Sequence, residues 1–162
     1  MMQICYQPIG IIHSPYLKPE GTPIQPRTAG GVSGTVEIFD QYVEGLQDLE
    51  GFSHIILIYH FHLARSGSLK VKPFLDQKLR GVFATRAPSR PNPIGLSVVK
   101  LLKVENNLLS IQELDILDGT PLLDIKPYLP DFDSPPVEKR GWLEEKLSNL
   151  PYARDDGRFA ES

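Results

Sequence analysis

The sequence predicts a mainly β protein, a barrel or closed antiparallel sheet with one short internal helix and one short C-terminal helix. Three observations predict it. Apolar residues recur in short runs with strand-like periods, and no regular strand–helix alternation separates them. Pro and Gly number 15 and 13 among 162 residues, which favours short elements joined by structured loops over a helical bundle. No G-x-G-x-x-G turn follows any strand, so a doubly wound nucleotide-binding fold is disfavoured.

Taken in order, Gln7–His13 alternates weakly and stops at Ser14-Pro15, which predicts a first strand. Lys18–Gly31 is rich in Pro, Gly and Thr and reads as a long loop, with Gly34–Phe39 as a short strand after it. Val43, Leu46 and Leu49 recur every three residues and predict a short helix over Gln41–Leu49. Phe52–His62 is a continuous aromatic and β-branched run, as in a buried strand. Gly81–Thr85 and Leu96–Glu105 are apolar runs flanking a loop, and Asn106-Asn107 turns the latter into a hairpin with Leu108–Leu117. Trp142–Leu147 carries helix formers. After Leu150 the chain reads as a polar, mobile tail, leaving residues 1–150 as one domain.

Two stretches have compositions that neither strand nor helix requires. Between Arg80 and Gly95 lie three arginines and three prolines. Each proline fixes its own φ and drives the preceding residue from the α region. Arg86, Arg90 and Asn92 therefore sit on a stiff, extended backbone that loses little freedom when a polar ligand binds. The plain alternative is a rigid surface loop with solvated arginines. The second stretch, Asp118–Tyr128, opens with the Asp118-Gly119 turn and the extended Thr120-Pro121 step. Alternation then puts Asp124 and Lys126 on one side of a strand and Leu123 and Ile125 on the other. As a surface ion pair they would contribute about 0–1 kcal/mol. As two stiffened polar segments, the stretches read as two walls of one ligand site.

Composition bounds the function classes. Hydrophobic content of 41% and charged content of 23% are those of a globular domain. The single cysteine, Cys5, excludes an internal disulfide framework and fits the cytoplasm. No secretory signal precedes Tyr6, and the apolar run Ile55–Tyr59 is too short to span a bilayer. A net charge of −3 is unlike that of a dedicated nucleic-acid binder. Lys70, Lys72, Lys78, Arg80, Arg86 and Arg90 nevertheless cluster centrally, either as a basic face or paired with acids elsewhere. His60 and His62 share a strand face, but no cysteine or H-E-x-x-H accompanies them, so no metal site is expected. Ser53 and His54 are adjacent and point apart on a strand, which leaves no nucleophile with a positioned base.

The segments Ile9–Tyr16, Gly51–Ile55, Gly81–Ser97 and Asp118–Tyr128, in that order, resemble the TrmO/TsaA-like family. Members are S-adenosylmethionine-dependent methyltransferases acting on threonylcarbamoyl-adenosine beside the tRNA anticodon. The resemblance implies a single-sheeted closed β-barrel, a homodimer, tRNA as partner and S-adenosylmethionine as cofactor. It also implies cofactor contacts at Pro23, Ile24, Gln25, His62, Arg86, Leu96, Asp118, Gly119, Thr120 and Pro121. Many relatives have arginine where this chain has Ile24, and here a basic residue, Arg27, follows three positions on. Bacterial members carry a further C-terminal domain. Without one, tRNA would be gripped by the barrel dimer or a partner.

Methyl transfer from a sulfonium asks the protein mainly for alignment and electrostatics. The accepting N6 is urea-like and weakly nucleophilic, so a nearby base would help. Asp124 or Tyr128 is expected to orient or deprotonate N6, and Lys126 or Arg90 to engage the threonine carboxylate or a phosphate. Two alternatives stay open: a small-molecule methyltransferase with the same cofactor site, and a non-catalytic cofactor-binding regulatory module.

Overall fold

A computed structural model describes residues 2–65 and 67–160. Six strands close into a barrel: β1 (Gly10–His13), β2 (Ser33–Ile38), β3 (His54–His60), β6 (Ile94–Glu105), β7 (Leu108–Gln112) and β8 (Thr120–Pro127). Their order is β1-β2-β7-β6-β3-β8, and every pairing is antiparallel. Closure leaves the sheet with no free edge, which is how six short strands avoid presenting unpaired backbone. The remaining strands, β4 (Lys70–Val71) and β5 (Arg80–Gly81), form a separate ribbon.

Alternation decides what faces inward. Ile55, Leu57 and Tyr59 of β3 are buried while His54, Ile56, Ile58 and His60 between them are not. Ile12, Val36, Ile38, Val99, Leu109, Ile111 and Leu122 join them in one core. The β6–β7 hairpin turns on Asn106, whose φ of 54° suits an asparagine. β7 is shorter than its apolar run because Glu113 takes a φ of 66° and breaks the pairing, although Leu114 and Ile116 stay buried. Gly81–Thr85 is likewise no full strand: after two paired residues it coils into a 3-10 turn, Val82–Ala84.

Both expected helices are 3-10 rather than α. The internal one spans Asp40–Leu46, and Asp48 at φ 67° separates it from a further turn, Leu49–Gly51. Near the C-terminus, turns at Gly141–Leu143 and Leu147–Tyr152 replace a continuous helix, with Pro151 in the second. None of these segments has a side-chain N-cap, and each is short, the range in which 3-10 turns are common.

A second, smaller apolar cluster lies outside the barrel: Val71, Val82, Ala87 and Phe159, with Phe74 against them. It ties together the ribbon, the Arg/Pro loop and the C-terminal residues into an annex. Arg80 bonds the buried Asp76 carboxylate through Nε at 2.9 Å, stacks 5.4 Å from the Trp142 ring, and Trp142 Nε1–H donates to Ala84 O at 2.8 Å. Of the tail expected to be mobile, residues 151–160 pack here because Phe159 is an apolar anchor, its ring 5.0 Å from that of Phe74, while Glu161 and Ser162 lie outside the described residues.

Candidate active site

At the end of the barrel where β3 stops and β6 and β8 start, a cavity of about 430 Å³ lies between barrel and annex. Its inner wall includes Tyr59, Gly95, Asp115, Ile116 and Thr120. Its outer wall comes from the loop around Pro23–Gln25, the Arg/Pro loop, and the C-terminal Asp155, Phe159 and Ala160. Gly95 permits this arrangement, since a Cβ there would overlap the Tyr59 ring. The Tyr59 and Phe61 rings meet edge-on at 5.3 Å and give the cavity an aromatic side. The outer wall is sewn on by backbone: Gly21 N–H to Asp155 O at 2.7 Å, Asp155 N–H to Thr22 O at 2.8 Å, and Arg65 N–H to Phe159 O at 2.8 Å.

The two arginines of the Arg/Pro loop have different employment. Arg90 Nη1 donates to the Thr85 and Ala87 carbonyls at 3.1 and 3.2 Å, so it braces the loop it belongs to. Arg86 is exposed at the cavity, and its Nη1 donates to Gln25 Oε1 at 3.3 Å. Its fork is the cation a ligand carboxylate would meet.

Opposite stand groups whose charged forms burial disfavours. Burial, reinforced by neighbouring His60, lowers the His62 pKa, so its ring is neutral near pH 7. Thr120 Oγ1 donates to Leu117 O at 2.7 Å and therefore accepts from His62 Nδ1–H at 3.4 Å, which leaves Nε2 an acceptor. Burial also pushes the carboxyls of Asp115 and Asp155 up, to about 7 and about 6.

Of the residues expected to hold a cofactor, Pro23, Ile24, Gln25, His62, Arg86, Leu96 and Thr120 line the cavity. Asp118, Gly119 and Pro121 do not; they build the wall from behind. Asp118 Oδ1 accepts from Ser14 N–H at 3.0 Å, Gly119 turns the chain at φ 73°, and Pro121 pairs with Ile11 in the sheet. Of the expected catalytic residues only Arg90 lies at the cavity. Asp124 and Lys126 are on the barrel's outer surface, paired with each other at 2.9 Å and about half exposed. A bulge opposite Ile58/Tyr59 keeps Leu122 and Ile125 on the core side and Asp124 outside. Tyr128 lies beyond the strand, edge-on to His54 at 6.4 Å. Sequence reasoning missed Asp115, Ser97 and Tyr59. The available signal was a lone acid and a lone serine inside otherwise apolar runs, Leu114-Asp115-Ile116 and Leu96-Ser97-Val98. It also missed the C-terminal wall, for which Phe159 was the only mark.

Such a cavity suits an amphoteric ligand of nucleoside size: aromatic faces for a ring, an arginine for a carboxylate, acids for cationic groups. Residues 11–134 match the family model described as the tRNA-methyltransferase O N-terminal domain. The chain is 58% identical over 158 residues to a probable S-adenosyl-L-methionine-binding protein of Pyrococcus abyssi, covering 98% of this chain and 86% of that one. It is 41% identical over 138 residues to a tRNA (adenine(37)-N6)-methyltransferase of Mus musculus, covering 80% of this chain but 32% of the mouse protein. Among solved structures, TrmO from Pseudomonas aeruginosa superposes with a TM-score of 0.73 at 40% identity over 88% of this chain. This chain spans 62% of that structure.

Proposed function

Since the chain belongs to the tRNA-methyltransferase O N-terminal-domain family, we propose that it is a cytoplasmic S-adenosylmethionine-dependent methyltransferase. Its acceptor on this reading is N6 of threonylcarbamoyl-adenosine beside the anticodon of tRNA. The cavity between barrel and annex carries the proposal. Its donor set fits the cofactor: Arg86 with Gln25 for the carboxylate, aromatic and apolar walls for the adenosine, and two acids for positive charge. When bound, the cofactor supplies an electrophilic methyl group. The protein then has to align the acceptor, exclude water and hold a proton.

His62 Nε2 is a neutral acceptor at the cavity wall. The Arg/Pro loop, stiffened by its prolines and by Arg90, keeps Arg86 in place without ordering cost at binding. Asp124, Lys126 and Tyr128 are assigned to the substrate side, Asp124 or Tyr128 to N6 and Lys126 to the threonine carboxylate. On this reading they act from the outer surface, with a second copy completing the site. An apolar outer stripe supports that homodimer: Ile56 and Ile58 of β3 lie opposite Val98 and Leu96 of β6, and Leu96 is 49% exposed.

The direct test incubates labelled S-adenosylmethionine with purified protein and two tRNA pools, one threonylcarbamoylated and one not. Label confined to the modified pool is expected. Label in neither pool, with cofactor binding intact, would favour a non-catalytic cofactor-binding module, a reading to which the net charge of −3 also lends weight.

A further inference from the structure

Asp115 is a lone acid set between Leu114 and Ile116, which are 0% and 2% exposed. Its Oδ1 accepts the Ser97 hydroxyl proton at 2.7 Å, and Ser97 Oγ lies 3.0 Å from the Tyr59 hydroxyl. With the Ser97 proton committed to Asp115, Tyr59 O–H is the donor in the second bond. Ser97 and Tyr59 are buried in the barrel, so the carboxyl is held from the core side while it lines the cavity.

Among the described residues no cation lies within ion-pair distance of it. The ionisable groups that act on it or feel it are Tyr59 of β3, Tyr16 after β1, and Arg86 across the cavity. His62, Arg90 and Asp155 complete the ionisable lining. Among the described residues Asp115 makes no ion pair. A half-buried carboxylate so placed at the cavity wall is poised to take a positive charge from a ligand.

S-adenosylmethionine carries two positive groups. The ammonium has three N–H bonds and needs several acceptors. The sulfonium donates no hydrogen bond and is stabilised only by nearby negative charge and aromatic faces. The cavity offers the Asp115 carboxylate, linked through Ser97 to Tyr59, on the same lining as the edge-on Tyr59 and Phe61 rings, which matches the sulfonium. We propose that Asp115, anchored by Ser97 and Tyr59, is the fixed counter-charge that selects the sulfonium cofactor over the neutral thioether left after methyl transfer. The proposal rests on the cofactor reading above. It gives the enzyme a means of releasing product, because the charge that Asp115 balances disappears in the reaction.

Isothermal titration of the full chain with S-adenosylmethionine and with S-adenosylhomocysteine tests it, at pH 6, 7 and 8 and in two buffers of different ionisation enthalpy. Wild type should prefer the sulfonium compound, lose that preference below pH 7, and release a proton on binding it near pH 7. Asp115→Asn should cut the preference by about tenfold or more, abolish the proton release, and leave S-adenosylhomocysteine affinity unchanged. Should that variant not fold, Ser97→Ala keeps the acid but removes a bond that favours its charged form, so the pH midpoint of the preference should move up. An unchanged preference in Asp115→Asn, an equal loss of both ligands, or an unmoved midpoint in Ser97→Ala overturns the role of Asp115. Failure of wild type to bind either ligand overturns the cofactor reading and this proposal with it.

Discussion

The barrel buries thirteen residues in one core to which all six strands contribute, whereas the annex buries four, Val71, Val82, Ala87 and Phe159. In the barrel, backbone pairing and side-chain alternation reinforce each other, so each strand is held twice. The annex has a two-residue ribbon and relies on particular polar and aromatic contacts: Arg80 to Asp76, Trp142 to Ala84, Phe159 to Phe74. The ligand cavity lies on the seam. One wall is therefore rigid and the other has few buried contacts, the condition under which local opening is cheap. A site built this way can admit a ligand by loosening the annex without unfolding the barrel.

The largest effect should come from the barrel. Leu57→Ala removes a fully buried side chain at its centre and should lower stability by about 2–5 kcal/mol, seen in urea as one transition for the whole chain. Phe159→Ala should act on the annex alone. Loss of about 1–3 kcal/mol of local stability would speed hydrogen exchange at the amides of Gly21 and Arg65, which bond the C-terminal segment. Exchange at Val99 should not change, and cofactor affinity should fall. If Leu57→Ala and Phe159→Ala gave the same global transition, barrel and annex would be one cooperative unit and the comparison would fail.

Acidity should separate the regions with opposite sign. Asp115 on the barrel side is raised from 3.8 to about 7 by burial, so its contribution to stability is fully present below pH 3.8 and lost as pH rises through 7. Asp76 in the annex is held down from 3.8 to about 2, chiefly by its bond to Arg80. Its contribution is present above pH 3.8 and lost as pH falls towards 2. Urea titrations at pH 4 and pH 8 should therefore find Asp115→Asn gaining on wild type only at the higher pH, while Asp76→Asn loses most there. The smallest effect is expected at Lys126→Ala. Its exposed pair with Asp124 should contribute less than about 1 kcal/mol, so a large drop in methyl transfer at unchanged stability would mark a substrate role.

The same division governs what was legible. The barrel strands show in the sequence as runs such as Ile55–Tyr59 and Val98–Leu101, because a surface buried on one side demands a repeat of two that nothing else supplies. The hairpin at Asn106-Asn107 and the turn at Asp118-Gly119 show for the same reason: few residues tolerate those backbone angles. Arg86 was legible as a candidate from the stiffness and composition of its loop, whereas Gln25 entered only through the resemblance to the family. Asp115 was not, since one acid in an apolar run is silent until Ser97 and Tyr59 arrive beside it from β6 and β3. Nor was the division of labour between Arg86 and Arg90, which depends on whether a carbonyl of the folded loop lies within reach.

By itself, then, the sequence determined the apolar runs that become strands and the stiff loops, consequences of local backbone limits and of burial, and its motifs carried the resemblance to the family. Only the tertiary structure decided that β8 carries Asp124 and Lys126 outward, that Phe159 brings the C-terminal segment back to wall the cavity, and that Asp115, bonded by Ser97, has no ion-pair partner among the described residues. Those outcomes depend on which remote residues become neighbours when the barrel closes, and burial and charge act only between neighbours.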